Sequence, residues 1–116
     1  MSLQMSTELS DNIPIIHVEG QIDMNNYVEV HELILAQIDG GRPSIMLDFR
    51  KLDFMDSATL GMLLRSLDKA KQRGGLLVLV SNPFVDRILS VTGLSHLFEL
   101  FTNENDALAR LLAKTS

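Results

Sequence analysis

The sequence predicts an α/β protein: a small, mostly parallel mixed sheet of four or five strands packed with four helices. Three observations predict it. Segments with strand-like composition alternate along the chain with segments of helical period. Two interior segments, "SIMLDF" and "LLVLV", are short apolar runs of the kind carried by a parallel strand buried on both faces. Glycine pairs, Gly40-Gly41 and Gly74-Gly75, stand where a helical period stops and such a run begins.

Each element follows in order. "IPIIHVEGQID" (Ile13 to Asp23) alternates and is rich in β-branched residues, so it reads as a strand. The preceding "QMSTELS" is its antiparallel partner, with "DNIP" as the turn between them, which makes the sheet mixed. From Asn26 the period changes: Tyr27, Val30, Ile34 and Ile38 share one face of a helix. Ser44 to Phe49 is the next strand, and a helix follows it up to the second glycine pair. Leu76 to Val80 is another buried strand. Asn82 before Pro83 is the cap-then-proline signature of a helix start, and Gly93 closes that helix. "HLFELF" reads as a short edge strand and "TNENDALARLLAK" as a final amphipathic helix. Strand–helix–strand alternation implies parallel pairing with right-handed crossovers.

The chain of 116 residues has the size of one domain, here 1–116 with a core over about 9–112; the first few residues, "MSLQM", stand outside the fold argument. It has no Cys, so a disulfide framework, a thiolate metal site and a cysteine nucleophile are excluded. No apolar run approaches the ~20 residues of a membrane span and no signal-peptide pattern opens the chain, so a cytoplasmic protein without direct membrane insertion is expected. A net charge of −5, one Tyr and no Trp give neither the basic stripe nor the stacking aromatics of a nucleic-acid binder. There is no G-x-S-x-G elbow, P-loop or G-x-G-x-x-G, and His17, His31 and His96 are scattered. No enzymatic activity, cofactor or metal site is expected.

"FMDSATLG" (Phe54 to Gly61) admits two readings, plain helix capping or a serine presented for chemistry. Asp56 and Ser57 are both good N-caps, since their side-chain oxygens can accept from the free N–H groups of a first helical turn. The same helix end tolerates an anion, so a phosphoserine there would leave its own helix intact and act on whatever docks at that surface. On a helical wheel Leu60, Leu63, Leu64, Leu67 and Ala70 share one face, and Gly61, Met62, Arg65, Ser66 and Lys69 the other. Met62 is therefore expected to face solvent one turn beyond Ser57, either as an ordinary exposed side chain or as an adaptable apolar part of a partner-binding patch around Ser57.

The chain resembles the STAS domain, and within it the anti-sigma factor antagonists. "VEGQID" looks like that family's strand ending in G-x-[LI]-D, and "IMLDFRKLDFMDSATLG" its D-S-x-x-[LI]-G core motif. "AKQRGGLLVLVSNPFVDRIL" and "VTGLSHLFELF" match the segments that follow, so the resemblance runs from about Leu9 to Leu112. It implies a STAS-type fold and a phosphorylation site at Ser57. It also implies a partner anti-sigma factor that is a serine kinase, bound only by the unphosphorylated form, and a PP2C-type phosphatase that restores that form. Asp23, Asp56, Ser57, Thr59 and Met62 would form the partner-binding surface. One departure is Ala58-Thr59 in place of the family's commoner Ser-Gly; Thr59 adds a second hydroxyl that could hinder docking or serve as an alternative phosphosite. The intact Asp56-Ser57 favours the antagonist role, with a non-catalytic STAS subunit of a bacterial lipid-transport complex as the alternative, and the resemblance leaves monomer and weak dimer open.

Overall fold

The computed structural model describes residues 2–115. Five strands form one sheet in the order β1-β2-β3-β4-β5: β1 (Leu3–Ser10), β2 (Ile13–Ile22), β3 (Ile45–Met55), β4 (Leu77–Val80) and β5 (Glu99–Phe101). β1 and β2 are antiparallel and the remaining pairs parallel. Four helices alternate with them: α1 (Tyr27–Asp39), α2 (Ser57–Gln72), α3 (Pro83–Val91) and α4 (Glu104–Thr115). The predicted order of elements is the observed one.

The hairpin turn is tighter than expected. Only Asp11 and Asn12 leave the ladder, both with positive φ (51° and 64°), while Ile13 and Pro14 already belong to β2. A two-residue loop with both centres left-handed matches the twist of the strands it joins, and Asp and Asn tolerate that region better than other side chains. The sheet begins at Leu3, one residue before the expected partner strand that opens at Gln4. Leu3 pairs with Gly20, and the Gln21 N–H donates to Ser2 O. Gly20 has a φ of 100°, and a Cβ there would strike the Ser2 carbonyl, so glycine is what lets the chain close on itself at this point.

β3 runs well past the expected Phe49, to Met55. It pairs with β4 only from Ile45 to Asp48, and its register with β2 shifts twice, after His17 and after Gly20. Each shift gives β3 one extra residue, which breaks the apolar alternation that a sequence reading follows. The carbonyls freed beyond β4 are taken by one side chain. Asn82 Nδ2 donates to Phe49 O (3.2 Å), Arg50 O (3.0 Å) and Leu52 O (2.9 Å), while its Oδ1 accepts from the Val85 N–H (2.8 Å) as the N-cap of α3. The predicted cap is therefore also a clamp on the strand that carries Asp56 and Ser57.

The core is a continuous aliphatic cluster in which Ile16, Ile22, Ile34, Leu47, Phe49 and Leu63 are fully buried. α1 buries Val30, Ile34 and Ile38, the face the period predicted. α2 does not keep its predicted phase. It buries Thr59, Met62, Leu63, Ser66, Leu67 and Ala70, while Leu60 and Leu64 lie at the rim. The wheel centred the apolar face on four leucines and Ala70. In the fold, small and flexible residues take the innermost stripe: Ser66 is sealed there by donating Oγ–H to Met62 Sδ at 3.7 Å. Met62 is thus a core residue with no exposed surface, not the solvent-facing anchor expected.

Candidate functional site

The last parallel pair, Ile22 with Met55, ends β2 and β3 side by side, so the loops leaving them are neighbours. Asp56 joins the two. Its backbone is extended, and Oδ1 accepts from the Thr59 N–H at 3.1 Å, capping α2. Oδ2 accepts from the Met24 N–H at 2.9 Å, anchoring the loop after β2. One carboxylate thereby satisfies two otherwise free donors and fixes the loop against the helix start.

Asp23 lies in that loop as its turn-former. Its carbonyl accepts from the Asn26 and Tyr27 N–H groups, and its Oδ1 from the Asn25 N–H at 2.9 Å. Asn26 is turned inward: Oδ1 accepts from the Asp23 N–H and Nδ2 donates to Gln21 O. It therefore leaves α1 without a side-chain cap. The loop is a closed web of short-range bonds, which holds Asp23 beside Asp56 on a fixed backbone.

Thr59 is part of the foundation and not of the surface. It is fully buried, and its Oγ1 lies 2.9 Å from Ile22 O and 3.1 Å from Asp56 Oδ1, both acceptors for its one proton. This corrects both expectations for Thr59, as a docking residue and as an alternative phosphosite. A kinase cannot reach a hydroxyl held between a strand end and a helix cap without opening the corner.

Ser57 is the opposite case. It is the first residue of α2, exposed, and its hydroxyl has no hydrogen-bond partner among the described residues. The first intrahelical bond runs from the Leu60 N–H to Asp56 O. The N–H groups of Ser57 and Ala58 thus precede the helical ladder, at the positive end of a long helix. On the same side of the helix lie half-buried Gly61 and exposed Arg65, at i+4 and i+8. A Cβ on Gly61 would sit 3.3 Å from Arg65 Nη1, so the guanidinium folds back along the helix toward its start. Of the five residues expected at the surface, then, Asp23, Asp56 and Ser57 are brought together; Thr59 and Met62 are inside.

Three apolar side chains around this corner were not anticipated. Met24 is 71% exposed, Val28 48% and Phe54 40%. Met24 sits between Asp23 and the first turn of α1, Val28 lies in that turn on the side away from Val30, Ile34 and Ile38, and Phe54 is two residues before Asp56. The sequence carried a signal for one of them: Val28 is out of phase with its helix's core face. Large apolar groups left exposed next to a polar corner are what a protein-binding surface offers.

Comparison with known proteins places these features in context. The model of the STAS domain matches residues 4–107. The anti-sigma F factor antagonist of Paenibacillus polymyxa is 29% identical, the match covering 96% of this chain and 97% of that protein. The crystal structure of an anti-sigma factor antagonist from Mycobacterium paratuberculosis superposes with a TM-score of 0.85 at 26% identity, over 95% of this chain and 94% of that one. The anti-sigma factor antagonist SpoIIAA in its unphosphorylated form shares the fold, with a TM-score of 0.78 at 22% identity over 97% of each chain.

Proposed function

The chain belongs to the STAS domain family, and from that premise we propose that it is an anti-sigma factor antagonist switched by phosphorylation of Ser57. In this reading the unphosphorylated form docks on an anti-sigma factor that is also a serine kinase, and so frees the sigma factor. Phosphoryl transfer from ATP to Ser57 Oγ ends the interaction, and a PP2C-type phosphatase reverses it. The protein itself catalyses nothing. Relatives named as anti-sigma factor antagonists along nearly their whole length support the role. No helix among the described residues is long and apolar enough to cross a membrane, in keeping with a soluble regulator.

The observation that carries the proposal is the division of labour between neighbours. Asp56 has both carboxylate oxygens committed to the cap and the loop, whereas Ser57 presents a free hydroxyl beside them. A phosphate on Ser57 adds nearly two negative charges at a helix N-terminus, where the domain's own dipole accepts them. The cost falls on the partner, which must desolvate that charge next to the Asp23 and Asp56 carboxylates while covering Met24. Met24, with Val28 and Phe54, takes the anchoring role that Met62 cannot. The test is to incubate the protein with its anti-sigma kinase and ATP, map the product by mass spectrometry, and titrate the partner by calorimetry. A single phosphoryl group on Ser57 with loss of the complex is expected, and Met24→Ala should weaken binding about tenfold, the burial of one apolar side chain being worth roughly 1.5–3 kcal/mol. Labelling at Thr59 alone, or full affinity of the Ser57→Asp protein, would overturn it.

A further inference from the structure

We propose that His17 is a proton-operated latch that fastens the edge strand β1 to the body of the domain, closed by an imidazolium and opened when Nε2 loses its proton. The two ring nitrogens face two different carboxylates at the same short distance. Nδ1 lies 2.7 Å from Asp48 Oδ2 on β3, and Nε2 lies 2.7 Å from Glu8 Oε1 on β1. A neutral imidazole has one N–H; its other nitrogen would then set a lone pair against a carboxylate oxygen. Only the doubly protonated ring can donate to both, so the closed geometry requires the charge.

The surroundings select which proton leaves. Asp48 is nearly buried and is gripped by Arg50, whose Nε and Nη2 donate to its two oxygens at 2.9 and 3.0 Å. Glu8 is exposed on an edge strand. Nδ1–H therefore stays with Asp48 and the Glu8 bond is the one that breaks. Charges from every neighbouring element bear on the ring: Glu8 from β1, Asp48, Arg50 and Lys51 from β3, Glu104 from α4 through its 2.8 Å bond to Arg50 Nη2, and Glu19 from β2 itself. Burial, the largest single influence, works against the proton. The bonds to Glu8 and Asp48, with the charges of Asp48 and Glu104, outweigh it and raise His17 above its ordinary 6.5. The ring forms part of the wall of an open groove of about 450 Å³, so water can exchange that proton. When the latch opens, the backbone ladder of the hairpin remains, but β1 loses the charged tie of Glu8 to His17 on β2.

The test is a proton NMR titration of the intact protein combined with amide hydrogen exchange. His17 should titrate above 6.5, while His31, which burial and then Arg65 hold low, titrates below it. Glu8→Gln should lower the His17 midpoint by about one unit, a tenfold weaker hold on the proton, without unfolding the domain. Corrected for intrinsic rates, the β1 amides from Ser6 to Ser10 should exchange about tenfold faster above the midpoint in the parent, with no such step in Glu8→Gln or His17→Gln. A midpoint at or below 6.5, or β1 protection that does not change across it, would overturn the proposal. So would a titration restored only by EDTA. Glu8, His17 and Glu104 offer ligand atoms within 4.8 Å of one another, and that result would put a metal ion in the proton's place.

Discussion

Met62 and Thr59 differ from Ser57 by only a few residues, yet the fold sends them to opposite fates. Met62 has no exposed surface, so Met62→Ala should cost about 2–5 kcal/mol in urea unfolding, the range for emptying a core methionine site. The fraction that folds should bind the anti-sigma partner normally; weakened binding at unchanged stability would return Met62 to the surface. Thr59→Val keeps the shape and removes the donor, leaving Ile22 O without its side-chain partner, and should cost about 1–3 kcal/mol, while Thr59→Ser retains the bond and costs less. Ser57→Asp should leave the melting temperature nearly unchanged, since a charge in the first turn is worth about 0.3–1 kcal/mol and usually favourable. At this scale the sequence was legible where chemistry is local. The Asp-Ser pair announces a helix start, and Asp56 is indeed its cap. The phase of α2 was not legible. A wheel weighs hydrophobicity, whereas the inner stripe of a helix packed between a sheet and a second helix is chosen by size as well, and there Thr59 and Ser66 fit closer than Leu60 or Leu64.

At the scale of elements, the strands and helices could be read in order because each carries its own period and its own stop. What could not be read was how β3, still paired with β2, continues with its other edge open after β4 ends. The support comes from Asn82, distant in sequence, and the same residue type is fully explained by the cap that the following proline announces. The two roles can be separated. Asn82→Asp keeps an oxygen for the Val85 N–H but replaces the donor to three carbonyls with a negative charge. It should destabilise the domain by about 2 kcal/mol or more by thermal melting, beyond the loss in Asn82→Ser, which retains only a cap. Equal stability of the two variants would mean that the carbonyls of β3 find water instead and that the clamp is incidental. The apolar corner likewise could not be read as a unit from its separate elements. Met24, Val28 and Phe54 belong to a loop, a helix and a strand, and the parallel register of β2 on β3 brings the segments that carry Met24 and Phe54 to the same end of the sheet as Asp56.

For the molecule as a whole, the network of Glu8, His17, Asp48, Arg50 and Glu104 ties β1, β2, β3 and α4 together, and its titration sets the pH range in which the domain is most stable. Asp48 is held down despite its burial, which alone would raise it. The hydrogen bonds of Arg50 and His17 win and push it from 3.8 to about 2. A carboxyl whose folded value lies below its unfolded one gives stability that is complete above 3.8 and is lost as the pH falls toward 2. That drop corresponds to roughly 2 kcal/mol. His17 has the reverse sign. Its folded value is raised, so its contribution is complete below 6.5 and is lost as the pH rises through the folded midpoint. The two limbs together predict a maximum between about pH 4 and 6.5, with stability falling on both sides. Urea unfolding across this range checks it, and the variants assign the limbs. Asp48→Asn should flatten the acid limb and, by removing an imidazolium partner, shrink the alkaline one as well. His17→Gln should flatten the alkaline limb and leave part of the acid limb, because Arg50 still grips Asp48. An alkaline limb that survives in His17→Gln would place the titrating group elsewhere and detach the stability of β1 from the latch.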